Sequence, residues 1–164
     1  MAGKPAARVT DATAHMMSPL TPGPGSLNVM IGYLPAWRGI PLSSAAVLQT
    51  AKASSQARLA AARAATLAAA GTPGAPAAKA AEESLKLAEA AAMGSMISSM
   101  AAGADIHVCP VPLPVPPHGP GVVINGSSTV KINNLPACRI GDTLIEALGP
   151  PNKIANGSFT VLIG

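Results

Sequence analysis

Aromatic side chains are almost missing from this chain: Tyr33, Trp37 and Phe159 are the full set, 2% of 164 residues. Charge is sparse too, at 11% Asp, Glu, Lys and Arg with a net +4. There is no basic tract and no aromatic interleaving among the cations, which argues against a nucleic-acid-binding surface. No uncharged apolar run reaches the roughly 18–20 residues a transmembrane helix needs. The N-terminus carries Lys4, Arg8 and Asp11 where a Sec-type signal would have an apolar segment. Two cysteines, Cys109 and Cys138, are too few for a disulfide scaffold. They fit a reduced compartment in which a thiolate is free to bind metal. The chain has no phosphate-binding glycine loop and no nucleophile–His–acid order.

What is abundant is glycine, proline and alanine. Gly and Pro number 16 and 17. Alanine supplies much of the 49% apolar content and buries little area. The core is therefore thin for the length, and a staple or a partner surface is expected.

Internal repetition sets the architecture. Gly25-Ser26-Leu27-Asn28-Val29-Met30-Ile31 leads to Pro35-Ala36-Trp37-Arg38, and Gly126-Ser127-Ser128-Thr129-Val130-Lys131-Ile132 leads to Pro136-Ala137-Cys138-Arg139. Pro5-Ala6-Ala7-Arg8 lacks its Gly-Ser strand, and Gly157-Ser158-Phe159-Thr160-Val161-Leu162-Ile163 lacks its Pro-Ala-x-Arg. Joined, the halves give three units. From Pro-Ala-x-Arg to the next Gly-Ser is 20 residues in the first, 21 in the third and 91 in the middle one.

The excess in the middle unit has its own composition. Residues 41–104 read as an inserted Ala-rich helical hairpin broken at Gly71-Thr72-Pro73-Gly74, between a first part (1–40) and a second part (105–164) of the repeat framework. Ser43 or Ser44 is expected to cap the first helix, and Pro76 to start the second. Glu82 and Glu83 fall near the second helix's N-terminus, and Glu82–Lys86 is a favourable i,i+4 pair. The hairpin reads as a spacer or as a docking surface for an effector or chaperone, with Met93, Met96 and Met100 as its adaptable patch. Short strands are expected at 4–11, 27–32, 122–125, 128–134, 138–142 and 158–163. The prolines of Asp105–Pro120 are expected to fix that backbone without secondary structure.

The same stretch carries the densest chemistry. His107-x-Cys109-x8-His118 sits on a Pro-stiffened loop, and His15 comes from another unit. Three histidines and one thiolate make a tetrahedral set suited to one structural Zn²⁺. Without the repeat framework to bring the loops together, the same residues read as surface histidines and a buried cysteine. His15 lies ten residues after Pro5, and Glu146 ten after Pro136, so the third unit offers a carboxylate there. Cys138 reads as a small buried hydrophobe and a reserve ligand. Four protein ligands close a zinc site and leave no place for an activated water, which argues against a hydrolase. Asp105 and Glu146 are the nearby general-base candidates, and neither has a catalytic spacing.

The three Pro-Ala-x-Arg motifs, the Gly-Ser-x-Thr-Val-x-Ile strands, the Pro-rich His107…His118 loop and Gly149-Pro150-Pro151-Asn152-Lys153-Ile154 resemble the PAAR-repeat family. The resemblance covers about residues 4–40 and 105–164. Trp37 and Cys138 depart from Pro-Ala-Ala-Arg at its third position. It implies a mainly β fold, a pseudo-threefold β-cone interrupted here by the helical hairpin. It implies a non-enzymatic tip that caps and sharpens the trimeric VgrG spike of a bacterial type VI secretion system. Such a protein waits in the cytoplasm and is then secreted into the target cell. The family's zinc site carries over to His15, His107, Cys109 and His118.

Three like units would let one copy mate with a trimer. Val29, Ile31, Val130, Ile132, Val161 and Ile163, on the Val-x-Ile strands, are the expected base of that contact. The alternative reading is a delivery or adaptor module for a secreted toxic effector whose toxin domain is absent from this chain. A zinc enzyme with an open coordination position is a third.

Overall fold

In a computed structural model the chain is described over residues 3–16, 18–112 and 116–164. The elements run β1 (Lys4–Ala6), β2 (Met30–Ile31), β3 (Leu34–Pro35), α1 (Leu42–Ala68), α2 (Ala75–Met100), β4 (His107–Pro112) and β5 (Pro117–Val123). They continue with β6 (Lys131–Ile132), β7 (Leu135–Pro136), β8 (Thr143–Glu146), β9 (Asn152–Lys153) and β10 (Ser158–Ile163). The strands form one antiparallel sheet in the order β4-β5-β8-β9 and three two-stranded pairs, β1-β10, β2-β3 and β6-β7. The two helices hold 27 and 26 residues, so the structure is mixed rather than mainly β. Alanine's helix propensity favours the helical state of the inserted stretch.

The repeated motifs meet in a closed cycle. Ala7 N–H donates to Cys138 O (2.8 Å), Cys138 N–H to Trp37 O (3.1 Å), and Trp37 N–H to Ala7 O (2.9 Å). A second cycle joins Val9 N–H to Pro35 O, Gly39 N–H to Pro136 O and Ile140 N–H to Pro5 O, each at 2.9 Å. This is why several strands are shorter than their β-patterns. Residues after each Pro-Ala hydrogen-bond to a neighbouring unit, so their local ladders stop there. The stretch 138–142 is a turn into β8 and not a strand.

Side chains stack in layers on these cycles. Ala6, Ala36 and Ala137 pack with Ile31, Ile132 and Ile163. One residue along, Ala7, Trp37 and Cys138 pack with Leu20, Val123, Leu144 and Ile154. The Ser of each complete Gly-Ser pair closes its turn: Ser26 Oγ accepts from Val29 N–H (3.0 Å) and Ser127 Oγ from Val130 N–H (2.9 Å). Gly32-Tyr33 and Asn133-Asn134, all at positive φ, make the two-residue turns of β2-β3 and β6-β7.

The motif arginines explain where the insertion sits. Arg8, Arg38 and Arg139 each hold one carboxylate, Asp11, Asp105 and Asp142, at 2.9, 2.9 and 3.1 Å. Each aspartate N–H donates back to its arginine's carbonyl, at 3.1, 3.0 and 3.1 Å. The pair is three residues apart in two units and 67 apart in the middle one, yet the turn is the same. The hairpin is thus spliced into a single Arg-x-x-Asp turn whose ends stay pinned.

The hairpin also shares a core with the sheet. Ala45 and Leu48 of α1 and Met93 and Ile97 of α2 pack with Val122, Ile124, Ile145 and Ala147. Fully burying Leu48, Met93 and Ile97 contributes on the order of 1.5–3 kcal/mol each. Farther out, Arg58–Glu89, Arg63–Glu82 and Lys86–Glu82 pairs link and brace the helices. Glu82 therefore works as a bridge across the hairpin and not as a partner of the helix end. Pro41, not Ser43 or Ser44, takes the N-cap position of α1, and no side chain caps it. Pro76 does stand at the start of α2.

The proline stretch is a hairpin, contrary to the expectation of irregular backbone. Val108 is paired with Pro120, but its N–H points outward to Thr21 O (2.8 Å), so the pairing does not call for a proline donor. Residues 113–115 of the expected stiff loop lie outside the described residues.

Two outcomes follow. Asp105→Ala leaves the Arg38 guanidinium and the Gly25 and Arg38 N–H groups without their acceptor. It should destabilise the protein by about 3–5 kcal/mol, roughly 10 °C in thermal melts, while Glu83→Ala on the exposed hairpin surface changes little. Lys52, 6% exposed, donates to Glu146 O (2.8 Å) and Ala147 O (3.0 Å). Burial lowers its ammonium from 10.5 to about 8, against the opposing pull of the Glu146 carboxylate. Between those values the unfolded chain holds a proton the folded one has lost, so stability should rise with pH. Denaturant titrations from pH 7.5 to 10.5 should show wild type gaining on the order of 2–3 kcal/mol over Lys52→Met. A flat difference would mean that Lys52 titrates normally.

Candidate metal centre

The sheet carries its chemistry at one end. Along β5 and β8, Val123 and Leu144 belong to the apolar layer, while Gly121 and Glu146 lie two residues farther on. Cys109 and His107 stand on β4, His118 on β5, Glu146 at the end of β8 and Asn152 on β9. His15 comes from the loop between β1 and β2, held by its N–H to Asn152 Oδ1 (3.0 Å).

One row of the sheet shows how this is arranged. His107 pairs with Gly121, and Gly121 with Glu146. The outer side chains reach over the central position and meet, His107 Nε2 to Glu146 Oε1 at 2.9 Å. A Cβ on Gly121 would lie 2.9 Å from both the Glu146 Cγ and the His107 Cδ2. Only glycine leaves that passage open.

Four donors converge. His15, Cys109, His118 and Glu146 place one ligand atom each within 4.8 Å of one another, and all but the half-buried His15 are buried. His15 Nδ1 and His118 Nδ1 are 3.3 Å apart, and Cys109 Sγ is 3.7 and 3.6 Å from them. Glu146 Oε2 is 3.1 Å from His15 Nδ1 and 2.7 Å from His118 Nδ1. Zinc bonds set tetrahedral edges of about 3.3–3.4 Å between two nitrogens and about 3.6 Å between nitrogen and sulfur. The nitrogen–nitrogen and nitrogen–sulfur distances match, and two imidazoles, a thiol and a carboxylate are a donor set for a divalent transition ion. The residues present can hold a metal.

Of the four ligands expected, His15, Cys109 and His118 come together. His107 lies behind Glu146, its Nδ1 turned to Pro19 O (3.3 Å) and Ser18 Oγ (3.4 Å). Cys138 sits in the apolar layer, where burial drives its thiol well above the usual range. Asp105 is committed to Arg38.

The electrostatics centre on Glu146, which has no exposed surface. Burial raises a carboxyl's pKa, but hydrogen bonds from His107 and Asn152 and the nearby imidazoles outweigh it and hold Glu146 at about 2. Asn152 Nδ2 donates to Glu146 Oε1 and to Thr13 Oγ1, both at 2.8 Å. Burial pushes the Cys109 thiol up, and a bound cation would favour its thiolate. Asn152, Gly121 and Thr13 escape a search for ligand residue types because they place ligands and donate nothing to a metal themselves.

The family model described as PAAR motif matches residues 113–164, which include His118, Glu146 and Asn152. Over its last third the chain thus carries the PAAR motif, as a PAAR-repeat protein does. No curated protein and no solved structure matches the chain.

Gly149 offers a direct test of the site. At φ 75° it lies against the His118 ring, and a Cβ there would come within 2.4 Å of Nε2. Gly149→Ala should displace His118, cost about 2 kcal/mol or more through strain and overpacking, and lower Zn²⁺ uptake measured by a chromogenic chelator. Unchanged uptake would show that His118 is not held for a metal.

Proposed function

We propose that this protein is a non-enzymatic spike tip that caps a trimeric VgrG spike of a type VI secretion system, one copy per trimer. The observation that carries the reading is the closed hydrogen-bond cycle through Ala7, Trp37 and Cys138. It supports the reading of three like faces around one axis in a single chain, the arrangement a cap would need to sit on a threefold partner. The layers stacked on that cycle support a pseudo-threefold cone with the metal-binding end as its apex. Zn²⁺ is the ion we assign, and it acts structurally there, since metal-binding energy is folding energy for loops a thin core cannot hold.

The strand pairs at the opposite end form the base. Their Ile31, Ile132 and Ile163 are buried inside the cone, so those three expected contacts serve the core instead. Leu27, Met30, Tyr33, Phe159 and Leu162 are the large apolar side chains left exposed on the Gly-Ser segments and β-turn. Together with the less exposed Val29, Val130 and Val161, they are the surface that would meet the spike. Among the described residues no helix is long and apolar enough to cross a membrane. In this reading the protein travels from the cytoplasm of the producing cell on the spike that carries it.

Native mass spectrometry of the full chain mixed with its cognate spike trimer should give one copy per three spike chains, with one zinc retained. A 3:3 complex, or none, would overturn the single-cap reading.

A further inference from the structure

The resemblance expects His107 as the fourth ligand, whereas Glu146 stands with the other three donors, and the inference drawn here rests on the metal reading. We infer that Glu146 supplies the fourth ligand through Oε2, and that His107 is a positioning residue that holds Glu146 from behind. The two carboxylate oxygens face opposite ways. Oε2 turns toward His15 Nδ1 and His118 Nδ1, at 3.1 and 2.7 Å, and so toward the ligand cluster. Oε1 turns away and accepts from His107 Nε2 (2.9 Å) and Asn152 Nδ2 (2.8 Å). His107 Nε2 therefore meets the carboxylate on the oxygen turned away from the cluster, and His107 is not among the four converging donors. Its other nitrogen is turned to Pro19 O and Ser18 Oγ on the far side.

The surroundings are built for this division. His107 and Glu146 are both fully buried, at 0% exposed, so neither swings freely into another place. Gly121 clears the single path by which they touch across β5. Asn152 is 1% exposed and ties the same carboxylate oxygen to the loop of His15 through Thr13 and through the His15 N–H. One carboxylate thus connects β4, β8 and β9 on one side and faces the other three donors on its second oxygen. A ligating carboxylate that is itself hydrogen-bonded is the usual way such a ligand is oriented. The resulting set, two imidazoles, one thiolate and one carboxylate, differs from the three imidazoles and one thiolate expected by resemblance.

Zinc K-edge X-ray absorption on the full-length wild-type chain loaded with one Zn²⁺ counts the ligands without any substitution. Two imidazoles, one sulfur and one further oxygen are expected. Three imidazoles and one sulfur would overturn the assignment while leaving the metal reading intact. Failure to retain stoichiometric Zn²⁺ would overturn both. Variants test the positioning role. His107→Leu should keep the two-imidazole spectrum but weaken Zn²⁺ binding about 10- to 100-fold. His107→Gln, whose amide can still donate to Oε1, should recover most of that loss. Loss of an imidazole signal in His107→Leu, or equal affinities for the two variants, would overturn it.

Discussion

Three backbone hydrogen bonds close a ring through the third residue of each Pro-Ala-x-Arg motif, and the remaining structure is hung on that ring. The ring fixes which face each motif presents. Its alanines then lie inside with Ile31, Ile132 and Ile163, and its arginines lie outside, where each folds back on an aspartate. Small residues are needed because three backbones approach one another closely. That explains a core so poor in aromatics. The one large exception, Trp37, fills the layer that Ala7 and Cys138 leave open.

The metal centre depends on the same frame at one remove. The ring orders the sheet layer by layer, and the layer beyond Val123 and Leu144 is where Gly121 lets two strands' side chains meet. There the burial of Glu146 would be costly on its own. Four polar neighbours compensate it and keep the carboxylate charged. A buried anion facing two imidazoles and a thiol is a donor set that could hold a cation.

Repetition made three like units readable from residues alone, while the ring that joins them and the aspartates held by their arginines came only from the structure. The half-motifs at the two ends were readable for the same reason, and the structure pairs them as β1 and β10. The helical hairpin was legible from composition. Its splice point was less so, since nothing local says that Arg38 still meets an aspartate 67 residues on. Three of the clustered donors were readable as ligand types. His107 has the same chemistry and the same spacing logic, and only the pairing of β4 with β5, and of β5 with β8, turns it behind the carboxylate. Glu146 stood in register with His15 but looked like an ordinary acid. Asn152 gave no signal beyond its place after Pro150-Pro151.

The β1-β10 pair also bears on where this chain could be cut. The ring has three strand pairs of the same kind. Two are joined by the turns Gly32-Tyr33 and Asn133-Asn134, and the third is open, with Lys4 opposite Ile163. The opening is interchangeable with the turns. A circular permutant joined across Lys4 and Ile163 and reopened at Gly32-Tyr33 would keep both backbone hydrogen-bond cycles, since none of their donors or acceptors lies in a connecting turn. The molecule is in that sense a closed ring that happens to be written as a line.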